Sequence, residues 1–379
     1  MGFLMRIAML FIVALVFSGC RSGIEIERPM SERTTDWAQF GGNPQRTNTP
    51  DGSITLPLEA AWQHSLSGGQ GHPGSLLVDN TVIVPCLREG IDLINAATGD
   101  GLGYISLDGV VVATPAVQGD RMYVPVAGLE ATMYCIDMTF GVVLWQRGPE
   151  PVESPPLIHG DRLYYGTASA RILCTGLDDS TAVWTATLPS PLYASPSGVD
   201  SVVVFPCMNG DLYGYHAAKG VQLWRYPSGA PYRASAAITE GVVFAANTEG
   251  KISAVEVHTG RAVWETVLPC PIYGTPSVSD GVVYLSGTDR TAYALDASTG
   301  SIIWKSEVGD IISGSIIPAG DVLVITLMDE RIVIAERETG KVIGEYTVEG
   351  RIRTSPIVHN GSIYISTDEQ LLYSFRTAQ

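Results

Sequence analysis

The sequence predicts an all-β protein: an eight-bladed β-propeller of four-stranded antiparallel blades, closed by an N-terminal strand that completes the last blade. Three observations carry this prediction. Turn glycines recur with a period of about forty residues, the length of one propeller blade. They stand at Gly99, Gly141, Gly220, Gly260, Gly300 and Gly340, with one copy missing near Ser180. A Ser/Thr-Pro pair marks the start of most units, at Thr114-Pro115, Ser154-Pro155, Ser195-Pro196, Thr275-Pro276 and Ser355-Pro356, with Ser235-Ala236 in one gap and weaker copies near Gly74 and Ser315. Finally, the last unit runs out after residues 371–376 without a fourth strand, while a strand-like stretch, 59–66, precedes the first unit.

The stretch DGVVYLSGTDRTAYALDASTGSIIW, residues 280–304, shows how one unit is built. Residues 275–279 read as the first strand. Asp280-Gly281 is a hairpin signal. Residues 282–286 form the second strand, 288–290 a turn and 291–295 the third strand. Asp296 to Gly300 form the next turn, where Asp and Ser cap backbone amides and Gly takes a positive φ. Residues 301–305 form the fourth strand. Alternating Val, Ile and Tyr favour strands throughout. Helical repeats of similar length need amphipathic helices, and the sequence has none. A tryptophan follows the turn in Trp145, Trp184, Trp224, Trp264 and Trp304, and the closure strand carries Trp62. These rings are expected between blades, with their nitrogens on backbone acceptors. Closing the ring with residues 59–66 removes two exposed sheet edges.

The N-terminus stands apart from the repeats. Arg6 precedes an apolar run, residues 7–17, too short to span a bilayer comfortably. It ends in Phe-Ser-Gly-Cys. The pattern resembles a bacterial lipoprotein signal over residues 1–19, cleaved before Cys20, whose thiol then takes a lipid such as palmitate. Residues 20–36 read as a lipidated N-terminus and polar tether, and 37–379 as the propeller. Arg21 follows the cysteine rather than an aspartate, which favours the outer membrane, with the protein facing the periplasm. The net charge of −16 excludes the basic footprint of a nucleic-acid binder.

The Ala-x-Asp-x-x-Thr-Gly-x-x-x-Trp pattern resembles the repeat of the pyrroloquinoline-quinone-type propellers. Ala294, Asp296, Thr299, Gly300 and Trp304 match it fully; Asp137, Gly141 and Trp145 match it in part. His216, Gly220 and Trp224, and Glu256, Thr259, Gly260 and Trp264, keep its end. Enzymes of that family often place a vicinal cysteine pair beside the quinone and a calcium set of Glu, Asn and Asp. This chain has no Cys-Cys pair. Cys86, Cys135, Cys174, Cys207 and Cys270 are spread through the blades, read as buried thiols with Cys270 the more exposed. No histidine pair has metal-ligand spacing, and the repeated acids read as turn caps.

With its signal, short tether and eight units, the layout resembles the BamB family of lipoprotein propellers in the outer-membrane barrel assembly machinery. The resemblance implies a non-catalytic scaffold without cofactor or metal, monomeric within a hetero-complex. Its expected partners are the central barrel component and nascent barrel clients. A ligand- or polymer-binding envelope propeller and a quinone-dependent dehydrogenase are the alternative readings. Counting two places before each Ser/Thr landmark gives His72, Val112, Val152, Tyr193, Arg233, Tyr273, Ser313 and Arg353. Symmetry puts these on a ring near the blade starts. Tyr193, Arg233, Tyr273 and Arg353 are the candidate partner-binding residues, because Tyr and Arg combine contact area with donors.

Overall fold

A computed structural model describes residues 37–50, 52–87, 90–128 and 132–378. The predicted signal, the tether and the lipid-attachment residue Cys20 lie outside the described residues.

Eight antiparallel sheets are arranged as blades of four strands, and one blade carries an extra two-residue strand, Val110–Val111. In the unit analysed above the strands are Ser277–Ser279, Val282–Ser286, Thr291–Asp296 and Ile302–Glu307. The first is two residues shorter at its start than expected, because Thr275-Pro276 serves as the lead-in. Asp280 and Gly281 both have positive φ, 48° and 74°, as a two-residue hairpin of right-handed twist requires. The closure strand, Leu58–Ser65, pairs antiparallel with Leu371–Thr377 and completes the eighth blade.

Each of the six tryptophans on the blades' outermost strands bridges to the next blade. Its Nε1 donates to a backbone carbonyl there: Trp62 to Ala96, Trp145 to Leu177, Trp184 to Ala217, Trp224 to Val257, Trp264 to Ala297 and Trp304 to Arg337, at 2.7–3.1 Å. The turn glycine is needed for two reasons. Gly340 has φ +71°, and a Cβ there would stand 2.5 Å from the Trp304 ring. The glycine thus supplies both the left-handed turn and the flat surface on which the preceding blade's tryptophan lies. Asp296 does cap its turn, accepting from the Ser298 and Thr299 amides at 3.0 and 2.8 Å and from both hydroxyls. Hydrogen bonds from Ser298 and Thr299 hold its carboxyl below the usual carboxylate range.

Every blade has a register shift between its last two strands, just before the tryptophan or its counterpart, as between Ala294 and Leu295. This bulge breaks the strict alternation of sides. Ile302 and Ile303 therefore both face solvent while Trp304 turns inward.

The Ser/Thr landmark fastens neighbouring blades at the axis. The Ser235 hydroxyl accepts the Ser195 amide at 2.9 Å, and Thr275 accepts the Ser235 amide at 3.2 Å. Ser355 accepts the Ser315 amide at 2.8 Å, and Thr114 accepts the Gly74 amide at 2.7 Å.

Inside the ring runs a segment without a repeat partner, residues 37–50 and 52–54. Carbonyls of Trp37, Ala38, Pro44, Gln45 and Thr47 accept the amides of Leu77, Val117, Gly198, Ile238 and Val278, residues of five innermost strands. The Gln39 side chain serves Ile158 of a sixth, and the Ile54 amide reaches Ala319 of a seventh. One stretch of chain thus pairs with inner edges that the blades leave open.

Candidate functional site

The axial segment makes the centre of the ring a cup. Its floor is formed by Trp37, Phe40, Gly41 and Asn48, and its wall by the loops that lead into the inner strands. The cavity measures about 200 Å³. The chain is asymmetric about this axis. On the arc of the third and fourth blades, Arg46 fills the space beneath the loops. Its guanidinium is fully buried and donates to the carbonyls of Phe40 (2.6 Å), Asn43 (3.3 Å), Pro156 (3.0 Å) and Pro196 (3.1 Å). Burial lowers its pKa to about 9, which leaves it a cation at neutral pH. The cup opens along the arc running from the fifth blade through the eighth to the second.

The structure brings only part of the predicted ring to this cup. Arg233, Tyr273 and Arg353 line it together with His72 and Ser313. Val112, Val152 and Tyr193 are not in its lining. Val152 is buried in the core between the second and third blades, packed with Met133, Tyr165 and Leu173. Arg233 is exposed, with no ion pair or hydrogen bond to any described residue. Tyr273 is 53% exposed at the rim. Arg353 is held by Asp368, whose Oδ2 accepts from Nε and Nη2 at 3.2 and 2.9 Å. No carboxylate lines the cup, although the chain as a whole carries −16. Sequence reasoning missed Arg46, Asn48 and the aromatic floor; their signal was an aromatic, glycine and arginine cluster placed before the first repeat.

The cysteines hold no bond to one another, and all five in the described residues are buried. This corrects the expectation for Cys270: the Pro-Cys-Pro connection folds inward, and the thiol lies with Tyr293 and Ile272 in the core of its blade pair. Burial pushes the thiols of Cys86 and Cys135 up to about 12 and that of Cys174 up to about 11. His64 and His159 bond single backbone carbonyls, those of Gly99 and Asp200. Among the described residues no three His, Cys, Asp or Glu side chains cluster so as to hold a metal ion.

A second feature lies on the rim. The outermost strands carry exposed aliphatic residues immediately before the tryptophan position: Leu102, Leu144, Val183, Leu223, Val263, Ile303 and Ile343. These strands are also the sheets' outer edges, so apolar side chains sit beside unpaired backbone groups.

A family profile described as Outer membrane protein assembly factor BamB matches residues 59–195, 129–236 and 208–379, overlapping stretches that together span the blades. No curated protein matches the chain. Among solved structures, BamB from Moraxella catarrhalis is similar with a TM-score of 0.70 and 15% identity, covering 86% of this chain and 99% of that one. The quinohemoprotein alcohol dehydrogenase from Comamonas testosteroni gives a TM-score of 0.74 at 13% identity, covering 92% and 82%. A europium-containing methanol dehydrogenase gives 0.78 at 11% identity, covering 91% and 98%. At such identities these likenesses show the fold alone.

Proposed function

The chain belongs to the family described as Outer membrane protein assembly factor BamB, and from that membership we propose that it is a non-catalytic envelope scaffold serving the assembly of outer-membrane β-barrel proteins. Family membership and the lack of a metal-holding cluster among the described residues both argue against an enzymatic role. The likeness to quinone dehydrogenases does not alter this, because it reaches no further than the fold. The proposed site of action is the outer membrane, with the propeller facing the periplasm and Cys20 carrying the lipid.

The observation that carries the reading is the family match over residues 59–379. The axial cup supports it with a surface suited to protein recognition. Arg233, Tyr273 and Arg353, named as partner contacts from sequence, meet at one opening. Aromatic and arginine side chains around a recess are the usual anchors of an interface. The outer strand edges, with Leu144, Val263 and Ile303 exposed, offer a second mode, in which an extended client adds a strand.

Crosslinking and affinity capture from native membranes test this directly. Recovery of the barrel assembly complex is expected, reduced at least several-fold for the Arg233→Ala/Arg353→Ala double variant with an unchanged melting temperature. Clean capture of a different envelope complex would sink the assembly role. Full recovery by the folded double variant would remove the arginines as anchors.

A further inference from the structure

The axial cup has a chemical character that names its ligand more narrowly. Arg233 has no anionic partner among the described residues. Arg353 spends two N–H donors on Asp368, and a guanidinium has five. The hydroxyls of Thr114, Ser235, Thr275 and Ser355 all line the cup and each accepts a backbone amide. A hydroxyl that accepts still has its own proton to give. The wall therefore presents donors from several blades toward one space, and the one carboxylate that engages them, Asp368, leaves Arg233 and the remaining donors of Arg353 unclaimed. Such a constellation selects an anion.

Shape then selects the kind of anion. The axial segment supplies Trp37, Phe40, Gly41 and Asn48 to the lining of the cup. A space of about 200 Å³ is small beside ordinary ligand pockets of roughly 300–1,000 Å³, and suits about one large side chain with its terminal group. An internal acidic loop brings two chain strands through the mouth, while a chain end brings one. The floor adds apolar surface chiefly through the half-buried Phe40, beside the edge of Trp37, which is 7% exposed.

We propose that the axial cup binds the free C-terminus of a partner polypeptide, with the terminal carboxylate between Arg233 and Arg353 and an apolar last side chain over Trp37 and Phe40. This rests on the reading that the protein is a scaffold whose cup faces a partner. Capture of a terminal carboxylate by converging donors is an established mode of peptide recognition. It places specificity at the end of the client chain, independent of its internal sequence.

The test uses the full propeller and two probes, the peptide acetyl-Ala-Ala-Phe as free acid and as C-terminal amide, titrated by calorimetry at low salt. The free acid is expected to bind, with the amide at least about tenfold weaker, and the Arg233→Ala/Arg353→Ala variant should lose that preference. Equal binding of acid and amide overturns the proposal, as does binding of neither. So does equal binding of acetate alone, which would mark a site for small anions rather than for chain ends. The outcomes separate from those of membrane capture. Arginine-dependent capture without acid preference removes the C-terminus and leaves the scaffold. Acid preference with no assembly complex recovered does the reverse.

Discussion

Replacing Arg46 by methionine sets two effects of opposite sign against each other. The guanidinium is fully buried and has no carboxylate partner; its depressed pKa, about 9, records the cost of removing it from water. Were that cost dominant, an apolar side chain of similar length would stabilise the protein, as happens at some buried ion pairs. The structure points the other way. Without Arg46, the Pro196 carbonyl keeps the Ser195 hydroxyl and the Asn43 carbonyl keeps the Arg46 amide. The carbonyls of Phe40 and Pro156 lose the partner that Arg46 gives them. Orphaning a buried acceptor costs about 1–3 kcal/mol. Two of them cost about 2–6 kcal/mol, and relief of the buried charge offsets about 5 kcal/mol of that, so the acceptors win by about 1 kcal/mol at their upper limit. An unfolding entropy of about 2.1 cal/mol/K per residue makes this a fall of roughly 1–2 °C in a propeller of this size. Differential scanning fluorimetry of the tether-free protein measures it. The pH dependence supplies an internal check. A cation whose folded pKa is depressed carries its full penalty at every pH below the folded value, and the penalty is relieved only as pH rises through about 9. The difference between variant and wild type should therefore be flat from pH 6 to 8. A variant melting at or above the wild-type temperature would refute the claim that the carbonyl acceptors outweigh desolvation.

Gly340→Ala should destabilise by about 2–4 kcal/mol, since the new Cβ meets both a left-handed φ and the Trp304 ring; urea titration reads this, and a loss under 1 kcal/mol would show that the turn yields easily. With Cys20 removed, Ellman's reagent should find no reactive thiol in the native protein at pH 8 and five after denaturation, because burial raises every one of the five above its ordinary pKa and only the thiolate reacts. Rapid labelling of one native thiol would place that cysteine outside the core. Deleting residues up to Ser65 should leave Leu371–Thr377 as an open edge and shift gel filtration from monomer to aggregate; a stable monomer would mean that the ring closes without its N-terminal strand.

The parts of this fold that could be read from sequence are those that the chain repeats. Gly300 and Trp304 gain their meaning from seven other units, and the structure gives them the turn and the interblade contact that the repeat predicts. The bulge before each tryptophan also repeats, yet it stayed hidden. Ile302 and Ile303 are equally apolar, so the pattern does not reveal that both face outward. The axial segment was illegible for another reason. It pairs with the inner strands through its carbonyls, which every residue possesses, so its sequence carries little of its register. Arg46 stands in a cluster of aromatic, glycine and arginine residues before the first repeat, and nothing local says that its partners lie 110 and 150 positions away.

The same contrast explains where function can sit in a ring of near-identical units. Eight equivalent loops around an axis would build eight equivalent surfaces, and a symmetric rim cannot single out one ligand pose. The axial segment breaks that equivalence. It fills the arc of the third and fourth blades with Arg46 and its carbonyls, while Arg233, Tyr273 and Arg353 stand around the remaining opening. The cup thus joins one unrepeated stretch of chain to a repeated wall. Variation at a landmark-minus-two position should affect recognition on the open arc and stability on the filled one. Arg233→Ala is expected to leave the melting temperature unchanged, while Val152→Ala, which hollows a buried contact, should cost about 1–2 kcal/mol of stability and lower it.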